Sequence, residues 1–267
     1  YWLEDRKAQL TVTINGQLYI LMVCETLEQH GYQVIYSNTD GYMVLCPKGK
    51  EEWLYEINNQ FATYTGIGIE TEIVEKIVFK DVNNYYCKFR SGKQKFKGCF
   101  LPQGGILKGF VNPIVATALQ KYYVDGIKPE DYIPTHPDIH DFCTAFKIDD
   151  KFTNIHELVQ IKTITHSPKT GKPYVKPKQE SVILSSTPIQ KSCRFYVSIP
   201  TIISDDTIEG YRIRKMKVED GVQKFTDLCA GFTVTLANDI TPMPINERQI
   251  NYQYYIDKAN EIINEIN

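Results

Sequence analysis

The chain of 267 residues has room for one large domain or two small ones. Its 42% hydrophobic content is enough to bury a core. The longest apolar run, Leu18–Cys24, falls far below the roughly 18 residues of a membrane span, so a membrane protein is not expected. A net charge of -2 argues against a uniformly basic nucleic-acid binder.

Cysteines 24, 46, 87, 99, 143, 193 and 229 are scattered without a Cys-x-x-Cys pair. That argues against a disulfide framework or a Cys-rich zinc site and fits a reducing compartment. Tyr1 is not an initiator Met, and the residues after it lack the layout of a signal peptide, so a processed piece or internal fragment is expected.

The elements are read in chain order. Gln17–His30 follows Asn15-Gly16 and ends at Gly31, a left-handed cap, so one buried helix is predicted there. Its apolar residues lie nearly all round, which implies that it covers a sheet. Tyr32–Tyr36 and Tyr42–Cys46 flank an Asp-Gly turn and predict a hairpin. Trp53, Leu54, Ile57 and Phe61 have helical spacing within Glu51–Tyr64, and Gly66 stops that helix. Ile73–Lys80 alternates as a strand. Tyr85–Arg90 and Lys95–Leu101 read as a second hairpin through Ser91-Gly92.

Asn112-Pro113 opens a helix through Tyr123, and Asp138–Phe146 is a further expected helix. Residues 164–192 are rich in Ser, Thr, Pro and Lys and read as a long loop or extended arm. Short strands at Phe195–Ile199 and Phe232–Leu236 precede an amphipathic helix over Tyr252–Ile266. The fold class is α+β, an antiparallel sheet packed by helices followed by a mixed, helix-containing domain. Gly104, Gly105 and Gly109 cluster where a boundary is expected, dividing 1–108 from 109–267.

Charge is segregated along the chain. Residues 1–79 carry five basic against eleven acidic side chains, a net -6. Residues 80–128 carry nine basic against two acidic, a net +7. Lys162, Lys169, Lys172, Lys176 and Lys178 form a second basic stretch without acids. Such segments with interleaved aromatics suit a nucleic-acid backbone; a solvated strand face is the other reading. His136, Asp138, His140 and Asp141 are possible zinc ligands, with a helix start capped by Asp138 as the alternative. Ser185, Ser186 and Cys193 have no evident base partner, so a nucleophilic role is not expected.

Asp40, at the tip of the first hairpin, can offer a carboxylate oxygen to Mg²⁺, although Asp-Gly is also a common turn. Tyr36-Ser37-Asn38-Thr39-Asp40-Gly41 between two apolar strands resembles motif C of family B DNA polymerases, phage members especially. Thr13–Leu18 with the helix after it and Gly31-Tyr32 is similar to the same family. Lys76–Tyr85 resembles its Lys-Lys-x-Tyr primer-grip segment, and Lys95-Phe96-Lys97-Gly98 its Lys-x-Lys-Gly. Lys108-Gly109 with Pro113 and Ala116 resembles the entry to the thumb. The likeness covers roughly residues 11–125, and the Tyr-rich closing helix is also similar.

The resemblance implies the C-terminal part of the palm over 1–108 and a thumb over 109–267. Asp40 would be the catalytic metal ligand of a two-Mg²⁺ site. Asn38, Thr39, Asn83, Asn84, Tyr85, Lys88, Lys95 and Lys97 would contact primer-template DNA, with deoxynucleoside triphosphates as substrate. Asn38 and Asn83 depart from the pattern, standing where the family has an aspartate and a lysine. The palm strand with the second carboxylate, the triphosphate-gripping helix and the exonuclease motif are absent from this chain. They imply a partner carrying the N-terminal palm, fingers and exonuclease, without which this chain is inactive. A stand-alone duplex-binding module is the alternative. The implied location is the cytoplasm of an infected bacterium, with no membrane partner.

Overall fold

The structure is a computed structural model describing residues 5–38, 41–102, 112–147, 152–188, 192–204, 207–229, 231–237 and 249–267. It is an α+β fold of helices and antiparallel sheets, divided into two compact units. The first unit comprises Tyr1–Ile77 and Cys87–Gln94, the second Val78–Tyr86 and Lys95–Asn267. The division therefore runs through a sheet, whereas the expected boundary at 108/109 lies outside the described residues.

In the first unit, helix α1 covers Arg6–Gln29, eleven residues longer at its start than the sequence suggests. Asp5 is the cap: its side chain accepts from the Ala8 N–H at 3.0 Å. A glycine inside a helix costs only about 1 kcal/mol relative to alanine, so Asn15-Gly16 does not interrupt an otherwise favourable stretch. Gly31 ends the helix at φ 82°, and the Tyr32 N–H returns to the Leu27 carbonyl at 3.0 Å.

Strands β1 (Gln33–Ser37) and β2 (Tyr42–Leu45) form the expected antiparallel hairpin. Helix α2 (Glu51–Thr65) follows, its acidic first turn favoured by the helix dipole and its end fixed by Gly66 at φ 72°. Val23 and Leu27 of α1 pack with Tyr32, Leu54 and Ile57 to form this unit's core. Along α1, Leu10, Val12, Leu18 and Leu21 are each at least half exposed.

By length and composition, α1 is apolar enough to cross a membrane. Counting contiguous apolar residues missed this, because Thr, Asn, Gly and Gln interrupt the runs while no charge falls between Lys7 and Glu25. The exclusion drawn from the sequence therefore does not hold on composition.

Strands β3 (Val74–Asp81), β4 (Asn84–Phe89) and β5 (Gln94–Lys97) are neighbours in that order. A 3-10 turn over Gly98–Phe100 continues β5. In the second unit, α3 (Pro113–Gln120) runs into a wider π-type turn over Lys121–Asp125 and ends at Gly126, φ 74°. A short helix α4 (Pro129–Tyr132) precedes the segment expected to be helical over Asp138–Phe146. That segment is instead a 3-10 turn, Ile139–Phe142, followed by β6 (Thr144–Lys147). Asp138 does cap it, accepting from the His140 N–H at 2.8 Å, but Phe142 is fully buried and the chain leaves the turn extended.

The stretch over 164–192, expected as a long loop or extended arm, is largely strand. β7 (Asn154–His166) and β8 (Pro173–Pro188) pair antiparallel along their length. β9 (Ser192–Ser198), β10 (Thr201–Ser204), β11 (Thr207–Glu219), β12 (Val222–Leu228) and β13 (Thr233–Leu236) follow. One sheet has the order β10-β11-β7-β8, with β12 also on β11; another has β13-β9-β6. Proline is tolerated in β8 because it is an edge strand, where a missing N–H need not break a ladder.

Helix α5 (Tyr252–Ile266) closes the chain, its Tyr254 N–H capped by the Asn251 side chain at 3.1 Å. Its Tyr255 hydroxyl accepts from the Val197 N–H and donates to the Phe142 carbonyl, both at 2.8 Å. That side chain ties α5 to β9 and to the 3-10 turn through the middle of the core.

Candidate nucleic-acid interface

The first group of expected site residues sits at the β1–β2 turn. The ladder is irregular between Val34 and Tyr36, where Ile35 is extra on β1, and such a bulge twists a strand locally. Beyond it, the Asn38 N–H donates to the Gly41 carbonyl at 2.8 Å. Thr39 and Asp40 themselves lie outside the described residues. Asn38 thus serves the turn with its backbone, a role that needs no carboxylate.

What seats this hairpin escaped the sequence reading. Tyr42, next to Gly41, donates its hydroxyl to Asn58 Oδ1 at 2.5 Å, and the Asn58 amide donates to Thr71 Oγ1 at 3.0 Å. Asn58 is only 3% exposed. Burial pushes the Tyr42 phenol up to about 12, so it remains a donor at neutral pH. The available signal was Asn58 itself, which falls on the face that Leu54, Ile57 and Phe61 bury.

The second group lies in the second unit and is drawn together. Alternation along β5 puts Lys95 and Lys97 on one face and Phe96 on the other, where Phe96 stacks on Tyr86 with ring centroids 4.9 Å apart. The ammonium groups of Lys95 and Lys97 lie 5.8 and 5.6 Å from the centroid of the Tyr85 ring. Phe79 stacks on that ring at 6.3 Å. Tyr85 is therefore buried, 9% exposed, and does not offer a free ring for a base. It holds two cations at its face, an arrangement favourable by about 0.5–1 kcal/mol each at exposed sites. Two adjacent ammonium groups on a rigid strand suit an anionic backbone.

Asn83 and Asn84 differ from each other. Asn83 is exposed, with its backbone N–H donating to Asp81 Oδ1 at 2.8 Å. The Asn84 side chain is engaged internally: its amide donates to both Asp81 oxygens at 2.8 Å, and its Oδ1 accepts from the Cys99 N–H at 2.7 Å. The Asn83 N–H and the Asn84 amide hold the Asp81 carboxyl below the usual carboxylate range.

Lys88 belongs to the first unit and is paired with Glu75 at 3.0 Å. Lys93 is likewise paired with Glu72 at 3.1 Å. Their charge is thus locally compensated, whereas among the described residues Lys95 and Lys97 have no ion-pair partner.

Of the remaining expectations, the 167–172 turn of the basic arm exposes Lys169 and Lys172 and is closed by Ser167 N–H to Lys172 carbonyl at 2.9 Å. The side chains of Lys162, Lys176, Lys178, Ser185, Ser186 and Cys193 lie outside the described ones. His136 spends both ring nitrogens, one on Asp141 at 2.7 Å and one on the Tyr132 hydroxyl at 3.1 Å. Among the described residues, no group of three or more His, Cys, Asp or Glu side chains could hold a metal ion. Asp40 lies outside those residues, and a single carboxylate does not by itself make a two-metal site.

No family model matches the chain, and neither the curated proteins nor the solved structures provide a match.

Proposed function

We propose that this chain is part of a DNA-directed DNA polymerase, supplying a turn carboxylate at Asp40 and a surface for primer-template DNA. The observation that carries the reading is the pair of lysines, 95 and 97, held over the Tyr85 ring beside an exposed Asn83. Contacts from these side chains to phosphate and sugar fix position without reading sequence, as template-directed synthesis requires.

In the complete enzyme, Asp40 would share two Mg²⁺ ions with a carboxylate from outside this chain. Bound there, the metals would activate the primer 3′-hydroxyl and neutralise the triphosphate. This chain's own residues would hold the duplex: Lys95 and Lys97 by charge, Asn83 by hydrogen bonds, with Tyr85 as the support beneath the lysines. The lysine pair does not depend on Asp40, which favours a second reading, a duplex-binding module without catalysis.

Anisotropy titration of a labelled primer-template duplex at several salt concentrations tests the shared part. Lys95→Ala/Lys97→Ala is expected to weaken binding about tenfold or more and to reduce the salt slope by about 1.8. Asp40→Ala is expected to leave binding intact while abolishing extension by the enzyme reconstituted with its missing part. Unchanged duplex binding by the double lysine variant would sink the DNA reading. Full extension by the Asp40 variant would sink the catalytic one.

A further inference from the structure

Asn84 sits one residue before Tyr85, and Gly98 one residue after Lys97. The two positions interlock. The Asn84 amide faces a carboxylate, which only accepts, and its Oδ1 faces the Cys99 N–H, which only donates, so the side chain's orientation is fixed from both ends. Gly98 has φ 63°, and a Cβ placed there would stand 2.1 Å from Asn84 Oδ1 and 2.3 Å from the Asn83 carbonyl. The 81–84 turn and the end of β5 thus meet at a distance only glycine permits. The Gln120 amide holds the following turn in place, donating to the Phe100 carbonyl at 2.6 Å.

We infer that Asn84 is a positioning residue, a latch between Asp81 and the Cys99 backbone that sets Lys97 and Lys95 over Tyr85 in the orientation that binds a phosphate backbone. The inference rests on the DNA-binding reading above and reassigns Asn84 within it, from a residue touching DNA to one acting through its neighbours. Without the latch, the β5 end is tied to the turn on one side only, and the lysines lose the fixed geometry that makes two charges act together.

The test uses the full chain, the same labelled duplex and hydrogen exchange read by mass spectrometry. Asn84→Ala removes all three side-chain bonds without adding charge. It is expected to raise exchange in the peptides spanning 83–86 and 95–100 and to weaken duplex binding about tenfold. Asp81→Asn/Asn84→Asp reverses donor and acceptor across the latch at constant net charge; residue 84 still accepts from the Cys99 N–H. This swap is expected to restore both exchange and affinity to within about threefold of the parent.

A directly DNA-contacting Asn84 would not be rescued, because the swap turns a carboxylate toward the phosphates. Failed rescue of binding alongside restored exchange therefore overturns the inference, as does unchanged exchange in Asn84→Ala. Raised exchange with undiminished binding overturns it too. Lys95→Ala/Lys97→Ala, run alongside, reports separately on the DNA reading: if only that variant weakens binding, the latch fails and the reading stands. If neither weakens it, both fall.

Discussion

Gly98 is the residue at which local backbone and candidate interface are most tightly joined. Its left-handed φ already disfavours any side chain, by about 1–2 kcal/mol. The Asn83 carbonyl in the path of a Cβ adds an overpacking cost of about 1–3 kcal/mol. Gly98→Ala is thus expected to lower the thermal midpoint of the second unit by roughly 5–15 °C, read by calorimetry. Asp81 contributes in the opposite sense. Because its folded pKa is lowered, its stabilising effect is complete above the ordinary aspartate value near 3.9 and is lost as pH falls through the lowered one. The latch is intact at neutral pH. The family resemblance, together with the basic charge of residues 80–128, brought Lys95, Lys97 and Tyr85 together as a group in the sequence. The role of Asn84 was not legible there, because its partners are an acid three residues back and a backbone N–H fifteen residues on, and neither leaves a pattern in residue type.

At the level of elements, the hairpin bearing Asn38 is tied to α2 by the hydrogen bond between Tyr42 and Asn58. Tyr42→Phe leaves Asn58 Oδ1 buried without its donor, at a cost of about 1–3 kcal/mol. A lower urea midpoint for the first unit is the expected result, and Tyr42→Phe/Asn58→Leu should recover part of it, since removing both partners leaves fewer orphaned polar groups. An unchanged midpoint in the single variant would show that this hydrogen bond contributes nothing. Elements with their own punctuation were legible: α2 has helical spacing and a glycine stop, and the β1–β2 hairpin has its turn. Elements defined by distant partners were not. β8 lies in a stretch whose Ser, Thr, Pro and Lys content reads as a long loop or extended arm, yet pairing with β7 makes it strand, because an edge position removes the penalty for proline. The 139–142 turn failed for a related reason: Asp138 signals a helix start, but burial of Phe142 and pairing of β6 with β9 take the chain out of it.

For the molecule as a whole, the exposed leucines along α1 bear most directly on whether the chain acts alone. Leu10, Leu18 and Leu21 are 60%, 51% and 52% exposed and, at 3.6 residues per turn, fall within about 80° of one another around the helix. Under the polymerase reading, a further part of the palm would pack on this side; a lipid surface is the competing occupant, since α1 has the length and composition for it. Replacing all three leucines by glutamine keeps helix propensity while making the face polar. As exposed side chains, they should each change stability by no more than about 0.5 kcal/mol, so the thermal midpoint should hold while solubility rises. A fall of more than about 5 °C would mean that the isolated chain covers this face itself. Sedimentation with phosphatidylcholine vesicles separates the two occupants. The parent chain is expected to stay in the supernatant, whereas co-sedimentation abolished by the triple variant would assign the face to lipid and remove the argument that a second polypeptide covers it.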